Sequence, residues 1–121
     1  MLGNKGVLSG ERILGRKTVE PMTMNHLSDH ADLSRMRQKT FSKMPFVGIG
    51  YGLGFLVTLD PATAQILGSA GEYLWGGAAS TAFWIDPVED LIVIFLTQLF
   101  PFSSYPIRRE LRVLTCQSIV D

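Results

Sequence analysis

The C-terminal half of the chain alternates apolar runs with short clusters of turn residues. Three runs, at 71–78, 80–86 and 91–98, suit strands because aromatic and β-branched side chains fit a pleated surface. Asp86 and Pro87 open the turn before the last run, since proline pre-sets φ and aspartate bonds to nearby backbone. Connections this short favour antiparallel pairing of neighbouring strands. The pattern predicts an antiparallel sheet at the centre of the fold.

The last of these runs has no polar face. Residues 91–96 read LIVIFL, whereas a half-exposed antiparallel strand alternates apolar and polar side chains. The pattern therefore predicts cover on both faces of the sheet. We expect this strand to be the one most protected from amide exchange.

A helix is predicted at 106–120 and supplies one layer of cover. Pro106 suits its first turn, and Ser104 is the expected cap. Its apolar side chains share one face and its charged side chains fall largely on the opposite, solvent side. The buried face is predicted to carry Ile107, Leu111, Leu114 and Ser118, with Val113, Cys116 and Val120 beside them, and the charged set is Arg108, Arg109, Glu110 and Arg112. No other segment offers comparable cover, so we expect the second face of the sheet to stay open.

The upstream half adds a fourth strand, predicted at 53–59 after a run of alternating glycines. A phosphate-binding loop is the alternative for these glycines, but the other residues that such loops need are absent. A short helix is predicted at 13–25, limited by Pro21, and 28–45 is a polar surface segment. The fold class is α+β: an antiparallel sheet with a C-terminal helix packed on one face, in a single domain over residues 1–121.

Composition excludes several classes of function. Hydrophobic residues make up 46% of the chain, and 11 basic residues balance 11 acidic ones, so nothing attracts nucleic acid in general. A local basic cluster is interpreted as a solvated loop, with nucleic-acid binding as the weaker alternative; it consists of Arg35, Arg37, Lys39 and Lys43. The apolar stretches are too short to span a membrane and no signal peptide is visible, so we expect a soluble chain, cytoplasmic or periplasmic. The single cysteine, Cys116, excludes an intrachain disulfide.

Two histidines offer a candidate metal site. His26 and His30 are four residues apart and are flanked by Asp29 and Asp32, a spacing that brings ligands together on a helical turn. No motif supplies a third ligand at a defined position. We therefore favour ordinary loop residues near a helix end, and expect no metal and no cofactor.

One part of the sequence resembles a known family. Residues 75–98, WGGAASTAFWIDPVEDLIVIFLTQ, followed by SSYPIRREL, are similar to the serine β-lactamase and penicillin-binding-protein-like superfamily, particularly its esterase branch, the family VIII carboxylesterases. The upstream pieces G-x-x-I-L-x-x-x-T-V, M-x-x-N-H-L and GYGLGF, at 10–19, 22–27 and 50–55, also resemble that family. The resemblance covers nearly the whole chain but only the C-terminal part of the family's domain. It implies a partial β-lactamase/transpeptidase-like fold.

The resemblance also implies a division of labour at an active site. In the family, the serine of S-x-x-K attacks the acyl carbon, its lysine and a tyrosine move the proton, and a K-T-G-like strand borders the site. Trp75, Gly76 and Gly77 occupy the K-T-G position, and the Ala78 N–H matches a donor of the oxyanion hole. The two glycines suit a bare strand edge along which a substrate lies.

Trp75 departs from the family pattern, because it replaces the lysine that would hold the carboxylate of a penicillin. The resemblance therefore implies a small neutral ester as substrate of the intact protein, with a β-lactam as the alternative. A purely structural interpretation of Trp75 is a rim aromatic that packs without touching substrate.

The catalytic motifs themselves do not occur in the sequence. No S-x-x-K is present, the nearest imitation being TFSK at 40–43, and no tyrosine-base motif is convincing. The first hypothesis is thus a C-terminal fragment of a serine hydrolase, supplying strand and oxyanion backbone but no catalytic residue, and inactive alone. Its partner would be the missing N-terminal segment, or a second copy through self-association. The alternative is a non-catalytic α+β module that associates with another chain through the uncovered sheet face.

Overall fold

The computed structural model describes residues 1–36, 46–102 and 104–120. These residues form seven strands and three α-helices, with two 3-10 turns at Ser28–His30 and Leu33–Met36. The strands are β1 (Val7–Leu8), β2 (Glu11–Arg12), β3 (Ile49–Tyr51), β4 (Leu56–Thr58), β5 (Tyr73–Gly76), β6 (Ala82–Asp86) and β7 (Leu91–Phe95). The helices are α1 (Arg16–Met22), α2 (Pro61–Ala64) and α3 (Ile107–Cys116).

The centre of the fold is a five-stranded antiparallel sheet in the order β3-β4-β5-β6-β7. Each strand pairs with its neighbour in sequence, so the sheet is a simple meander. The predicted α+β class, with a C-terminal helix on one face, is confirmed. The strand predicted at 53–59 is shorter than expected. The glycine-rich stretch before it also contains a strand, β3, which was not predicted from the sequence.

Strand β7 is not covered on both faces, whereas the sequence had predicted that it would be. Among the described residues it is an outer strand of the sheet, and its side chains alternate between half-buried and exposed. Ile94 is 68% exposed and Leu96, just beyond the strand, is 80% exposed. One face of LIVIFL is therefore partly covered and the other is open, because little of the described chain packs over the side chains of Ile92, Ile94 and Leu96.

Helix α3 turns a different face to the sheet from the one predicted. Arg112 is its one buried residue within the described part of the chain, and Arg108 is partly buried, whereas Leu114 is 59% exposed. The two guanidinium groups reach backbone carbonyls and a carboxylate on the sheet, and arginine buries its aliphatic stem readily. The expectation that both arginines face solvent is wrong.

The start of α3 also differs from the prediction. Pro106 occupies the N-cap position, and its carbonyl accepts hydrogen bonds from the Arg109 and Glu110 N–H groups. Ser104 does not cap the helix, because its hydroxyl donates to the Pro101 carbonyl instead.

The hydrophobic core lies on the sheet face opposite α3 and centres on Val57, Tyr73 and Ile85. These three residues are aligned across β4, β5 and β6 by the strand register. Phe55 packs its ring against Tyr73, with ring centroids 5.5 Å apart. Leu2 also packs against this cluster. The N-terminal residues thus contribute partial cover to the second face.

Asn25 joins the segment after α1 to the sheet. Its side-chain oxygen accepts hydrogen bonds from the N–H groups of Leu27 (3.2 Å) and Tyr51 (3.0 Å), and its amide donates to the Ala31 carbonyl (3.0 Å). Gly50 leaves room for this side chain, since a Cβ there would lie 2.5 Å from Asn25 Cγ. Two segments that are distant in sequence are therefore locked together.

Across the described ranges, no helix is long and apolar enough to cross a membrane.

Candidate functional site

Trp75 and Gly76 lie at the end of β5, where one edge of that strand is open. Strand β5 pairs with β6 over all four of its residues but with β4 only through Tyr73 and Leu74. In the described part of the chain, no strand pairs with the β4-side edge of Trp75 and Gly76. Backbone groups on such an edge are available to an extended ligand.

The chain leaves this edge through a tight hairpin turn. The Ser80 N–H donates to the Gly77 carbonyl (3.1 Å), and the Gly77 N–H donates to the Thr81 carbonyl (3.0 Å). Ser80 has φ +67°, whereas neither Ala78 nor Ala79 has a positive φ. This combination is typical of a type I turn followed by a left-handed residue, a common three-residue hairpin. The backbone at Ala78 is therefore fixed at the tip of an ordered turn.

The Ala78 N–H is unpaired within the described part of the chain. Ala78 is exposed, and its N–H donates to no acceptor among residues 1–36, 46–102 and 104–120. The far side of the turn is secured to the segment after β7. There the Leu99 N–H donates to the Ala79 carbonyl (3.1 Å), and the Ser80 hydroxyl donates to the Leu99 carbonyl (2.9 Å). An unpaired, immobilised N–H is the type of donor that stabilises negative charge on an oxygen.

Both glycines of the triplet have a reason within the molecule itself. A Cβ at Gly76 would lie 2.7 Å from Cζ of Arg108, so the guanidinium of α3 occupies that space. A Cβ at Gly77 would collide with the Thr81 hydroxyl. From the sequence, these glycines were expected to let a substrate lie along the strand edge, and that expectation stays a prediction. The structure explains them by close packing on α3 and across the hairpin.

Trp75 stands at the open edge with its ring against Tyr51. The two ring centroids are 5.8 Å apart at an interplanar angle of 75°, an edge-to-face contact. Trp75 is still 36% exposed. This geometry agrees with a rim aromatic and leaves part of the indole available as a neutral wall.

A buried ion pair lies between α3 and the start of β5, and it was not predicted from the sequence. Arg112 donates to the Glu72 carboxylate (2.5 Å) and to the Leu67 carbonyl (2.9 Å), and its guanidinium stacks 4.7 Å from the Trp84 ring centroid. Burial raises the pKa of the Glu72 carboxyl above its ordinary value, although Arg112 opposes that shift. The one sequence signal was the i, i+4 spacing of Arg108 and Arg112, which puts both on one helix face.

An open cavity of about 320 Å³ adjoins this ion pair. Cys116 lines it, and burial raises the pKa of the Cys116 thiol. The indole Nε1 of Trp84 is buried and has no hydrogen-bond partner among the described residues. The cavity holds acidic and apolar groups together, and it lies on the α3 side of the sheet.

The candidate metal site is not assembled. Nε2 of His26 lies 2.6 Å from the Pro21 carbonyl oxygen, and Asp32 accepts hydrogen bonds from Ser34 and from the Gly48 N–H. These bonds lower the pKa of the Asp32 carboxyl, the Ser34 hydroxyl having the largest effect. Within the described residues, no group of three or more His, Cys, Asp or Glu side chains could hold a metal ion. Arg37, Lys39, Lys43 and the TFSK segment at 40–43 lie outside the described residues.

Together the sheet, the C-terminal helix and the open β5 edge define part of a β-lactamase-like α+β fold. EstCE1, a hydrolase with promiscuous acyltransferase activity, superposes with a TM-score of 0.65 at 26% identity, over 89% of this chain and 26% of that protein. Simvastatin synthase (LovD) from Aspergillus terreus superposes with a TM-score of 0.68 at 22% identity, over 91% of this chain and 28% of that protein. Both structures have the β-lactamase and penicillin-binding-protein type of serine hydrolase fold.

Two curated proteins of Mycobacterium tuberculosis are similar in sequence. Protein Rv1367c, from strain H37Rv, and the uncharacterized protein MT1414, from strain CDC 1551, are each 35% identical to this chain over 108 residues. The matched region is 86% of this chain but 26% of each relative, so the chain spans about a quarter of their length. No protein-family model matches the sequence.

Proposed function

We propose that this chain forms the sheet side of a serine hydrolase active site in a longer protein that hydrolyses esters through an acyl-enzyme. The chain would contribute the strand of Trp75, Gly76 and Gly77 and the oxyanion donor at Ala78. The observation that supports this most directly is the open β5 edge, which ends in an ordered turn with a free N–H at its tip. The fold that the chain shares with part of EstCE1 supports the same reaction class.

The proposed role of Ala78 follows from the charge that develops during acyl transfer. When a nucleophile attacks an ester carbonyl, the carbonyl oxygen becomes negative, and a fixed N–H at 2.7–3.1 Å stabilises it without reorganisation. The hydrogen bonds of Gly77 and Ser80 in the hairpin would hold the Ala78 N–H in one orientation. The nucleophile and the base would belong to another segment, because no S-x-x-K occurs in this sequence.

The proposed substrate is a small neutral ester. The first position of the triplet carries the indole of Trp75 in place of a lysine, so no cation is offered to a substrate carboxylate at that position. The half-exposed indole, braced by Tyr51, would form an apolar wall for the acyl or alcohol group. Faster hydrolysis of an anionic β-lactam than of a short-chain aryl ester would contradict this specificity.

The proposal is tested by joining the chain to a matching N-terminal segment that carries S-x-x-K and the tyrosine base. The isolated chain is expected to show no labelling by a serine-directed phosphonate and no ester turnover above background, and the joined protein is expected to show both. Ester turnover by the isolated chain, traced to one of its own serines, would contradict the proposal.

Ala78→Pro in the joined enzyme removes the proposed donor and little else. Proline is favoured at the first central position of a type I turn, so the hairpin is expected to persist without the N–H. Loss of one oxyanion donor costs on the order of 10²–10³ in kcat. Ala78→Gly retains the N–H and is the matched control. An Ala78→Pro enzyme with unchanged kcat would show that this residue is not the donor.

Gly77→Val is a second variant, expected to lose at least about tenfold in kcat, or about 1.4 kcal/mol.

A second candidate function is a non-catalytic module that associates through its open sheet face. The exposed side chains of Ile92, Ile94 and Leu96 favour it, because contiguous apolar surface commonly marks an interface. The partner would be either the remainder of a longer protein or a second copy of this chain.

A further inference from the structure

We propose that Arg108 is the positioning residue of the candidate oxyanion donor, an inference that rests on the function proposed for Ala78. Nη2 of Arg108 donates to the Gly77 carbonyl (2.8 Å) and to the Thr81 carbonyl (2.7 Å). These two carbonyls are the acceptors that close the hairpin turn from its two sides. A single side chain from α3 therefore holds both ends of the turn.

The contact with Gly77 bears directly on the Ala78 N–H, because the two groups belong to one peptide unit. The plane of that unit sets the direction in which the N–H points. A cation bonded to the carbonyl oxygen both fixes this plane and draws electron density from the N–H. Hydrogen bonds in such a chain strengthen one another by roughly 10–30% per bond. Arg108 thus orients the donor and also makes it a stronger one.

The surroundings of Arg108 are built for this contact. The guanidinium fills the space that a Cβ of Gly76 would take. Within the described ranges Arg108 forms no salt bridge, and its hydrogen bonds go to the two turn carbonyls alone. One helical turn later, Arg112 anchors α3 through Glu72 and the Leu67 carbonyl. The helix is therefore held in place independently of the hairpin. Among the described residues, no carboxylate pairs with the guanidinium of Arg108.

The first experiment uses the 121-residue chain and needs no catalysis. Amide resonances and hydrogen exchange are compared for the wild type, Arg108→Met, Arg108→Lys and the control Arg109→Met, whose side chain is exposed on the same helix. In Arg108→Met we expect exchange of the Gly77 and Ser80 amides to quicken about tenfold or more, and the Ala78 amide resonance to move. Arg108→Lys is expected to recover this only in part, since an ammonium lacks the planar fork. Unchanged exchange and an unchanged Ala78 resonance in Arg108→Met would overturn the inference.

The second experiment measures ester hydrolysis in the joined enzyme described above. Arg108→Met is expected to lower kcat about tenfold with little change in KM, because the interaction strengthens only as charge develops on the substrate oxygen. Added guanidinium at millimolar concentration is expected to restore part of the kcat of Arg108→Ala and none in Arg109→Ala. Rescue with KM unchanged would support the positioning role of the guanidinium group, and no rescue would count against it.

The two proposals fail in different ways. If Ala78→Pro lowers kcat and Arg108→Met does not, the oxyanion donor stands and the positioning role is overturned. If Ala78→Pro also leaves kcat unchanged, the function proposed for the turn is overturned, and with it the inference for Arg108.

Discussion

Glu72 and Arg112 form the one buried salt bridge found among the described residues, and it connects the start of β5 to α3. The exposed fractions of their side chains are 1% and 9%. Two charges removed from water are stabilising only while each has its partner, and removal of one leaves the other buried and uncompensated. The Thr58 hydroxyl also donates to the Glu72 carboxylate, and Arg112 donates to the Leu67 carbonyl and stacks on the Trp84 ring. This cluster connects α3 to the sheet through buried polar contacts.

Arg112→Leu is expected to lower the free energy of unfolding at pH 7 by about 3 kcal/mol or more, because Glu72 is left buried without its cation. Denaturant titration of the isolated chain measures this directly. Arg109→Leu, an exposed arginine on the same helix, is the control and should stay within about 0.5 kcal/mol of the wild type. Equal small effects from both substitutions would show that the pair does not hold the helix.

The penalty of Arg112→Leu should also depend on pH. Burial already raises the folded-state pKa of Glu72 above the ordinary value of 4.5, and loss of Arg112 should raise it further. A carboxyl with a raised folded-state pKa binds more protons when folded, so folding is favoured as pH falls through that pKa towards 4.5. The variant should therefore recover stability relative to the wild type between pH 7 and pH 4.5. A penalty that grows over this range would contradict the assignment.

At the scale of elements, the apolar runs and turn residues were enough to predict four strands and the C-terminal helix. The inward orientation of α3 was not predictable from periodicity, because a hydrophobic pattern assigns every arginine to the solvent side. The partners that reverse this assignment lie far away in sequence: Glu72 is 40 residues from Arg112, and Gly77 is 31 residues from Arg108. Strand β3 was missed for a related reason. Its glycine is required by Asn25, a contact that no local pattern contains.

Strand β6 rather than β7 is expected to be the most protected from amide exchange. Strand β6 lies between β5 and β7, whereas β7 has a partner on one side only within the described sheet. In an outer antiparallel strand, alternate N–H groups point away from the partner and exchange from the folded state. Residue-resolved exchange of the isolated chain should show slow exchange along Ala82–Asp86 and an alternating fast and slow pattern along Leu91–Phe95. Uniform slow exchange along β7 would mean that its outer edge is paired, for example in a dimer.

At the scale of the whole molecule, the candidate site is only half predictable. The resemblance of residues 75–78 to the K-T-G strand pointed to a backbone site, and the open β5 edge and free Ala78 N–H give that backbone a defined geometry. The nucleophile could not be predicted, because the sequence contains no S-x-x-K. The hydrogen bonds of Arg108 to the turn also could not be predicted, since they depend on which face α3 turns to the sheet.

The open face of the sheet carries the last prediction, which concerns association. The strand register aligns Ile85 with Ile92 and Phe83 with Ile94, so the exposed isoleucines extend the apolar face of the core outward onto β7. Leu96 prolongs the same side of the strand. Apolar surface of this kind is normally covered by another segment, a partner or a second copy. We therefore expect the isolated chain to self-associate or to unfold at low denaturant concentration.

Sedimentation velocity of the isolated chain over a range of concentrations, together with binding of a hydrophobic dye, tests this expectation. Ile94→Lys should shift the chain towards monomer and reduce dye binding, because it puts a charge in the middle of the open face. Val88→Lys is the matched control, since Val88 is 69% exposed, as Ile94 is at 68%, but lies in the turn between β6 and β7. If the wild type is a monomer with a cooperative melt and no dye binding, and Ile94→Lys changes neither, the second face is covered from within the chain, and the proposal of a docking surface on β7 is wrong.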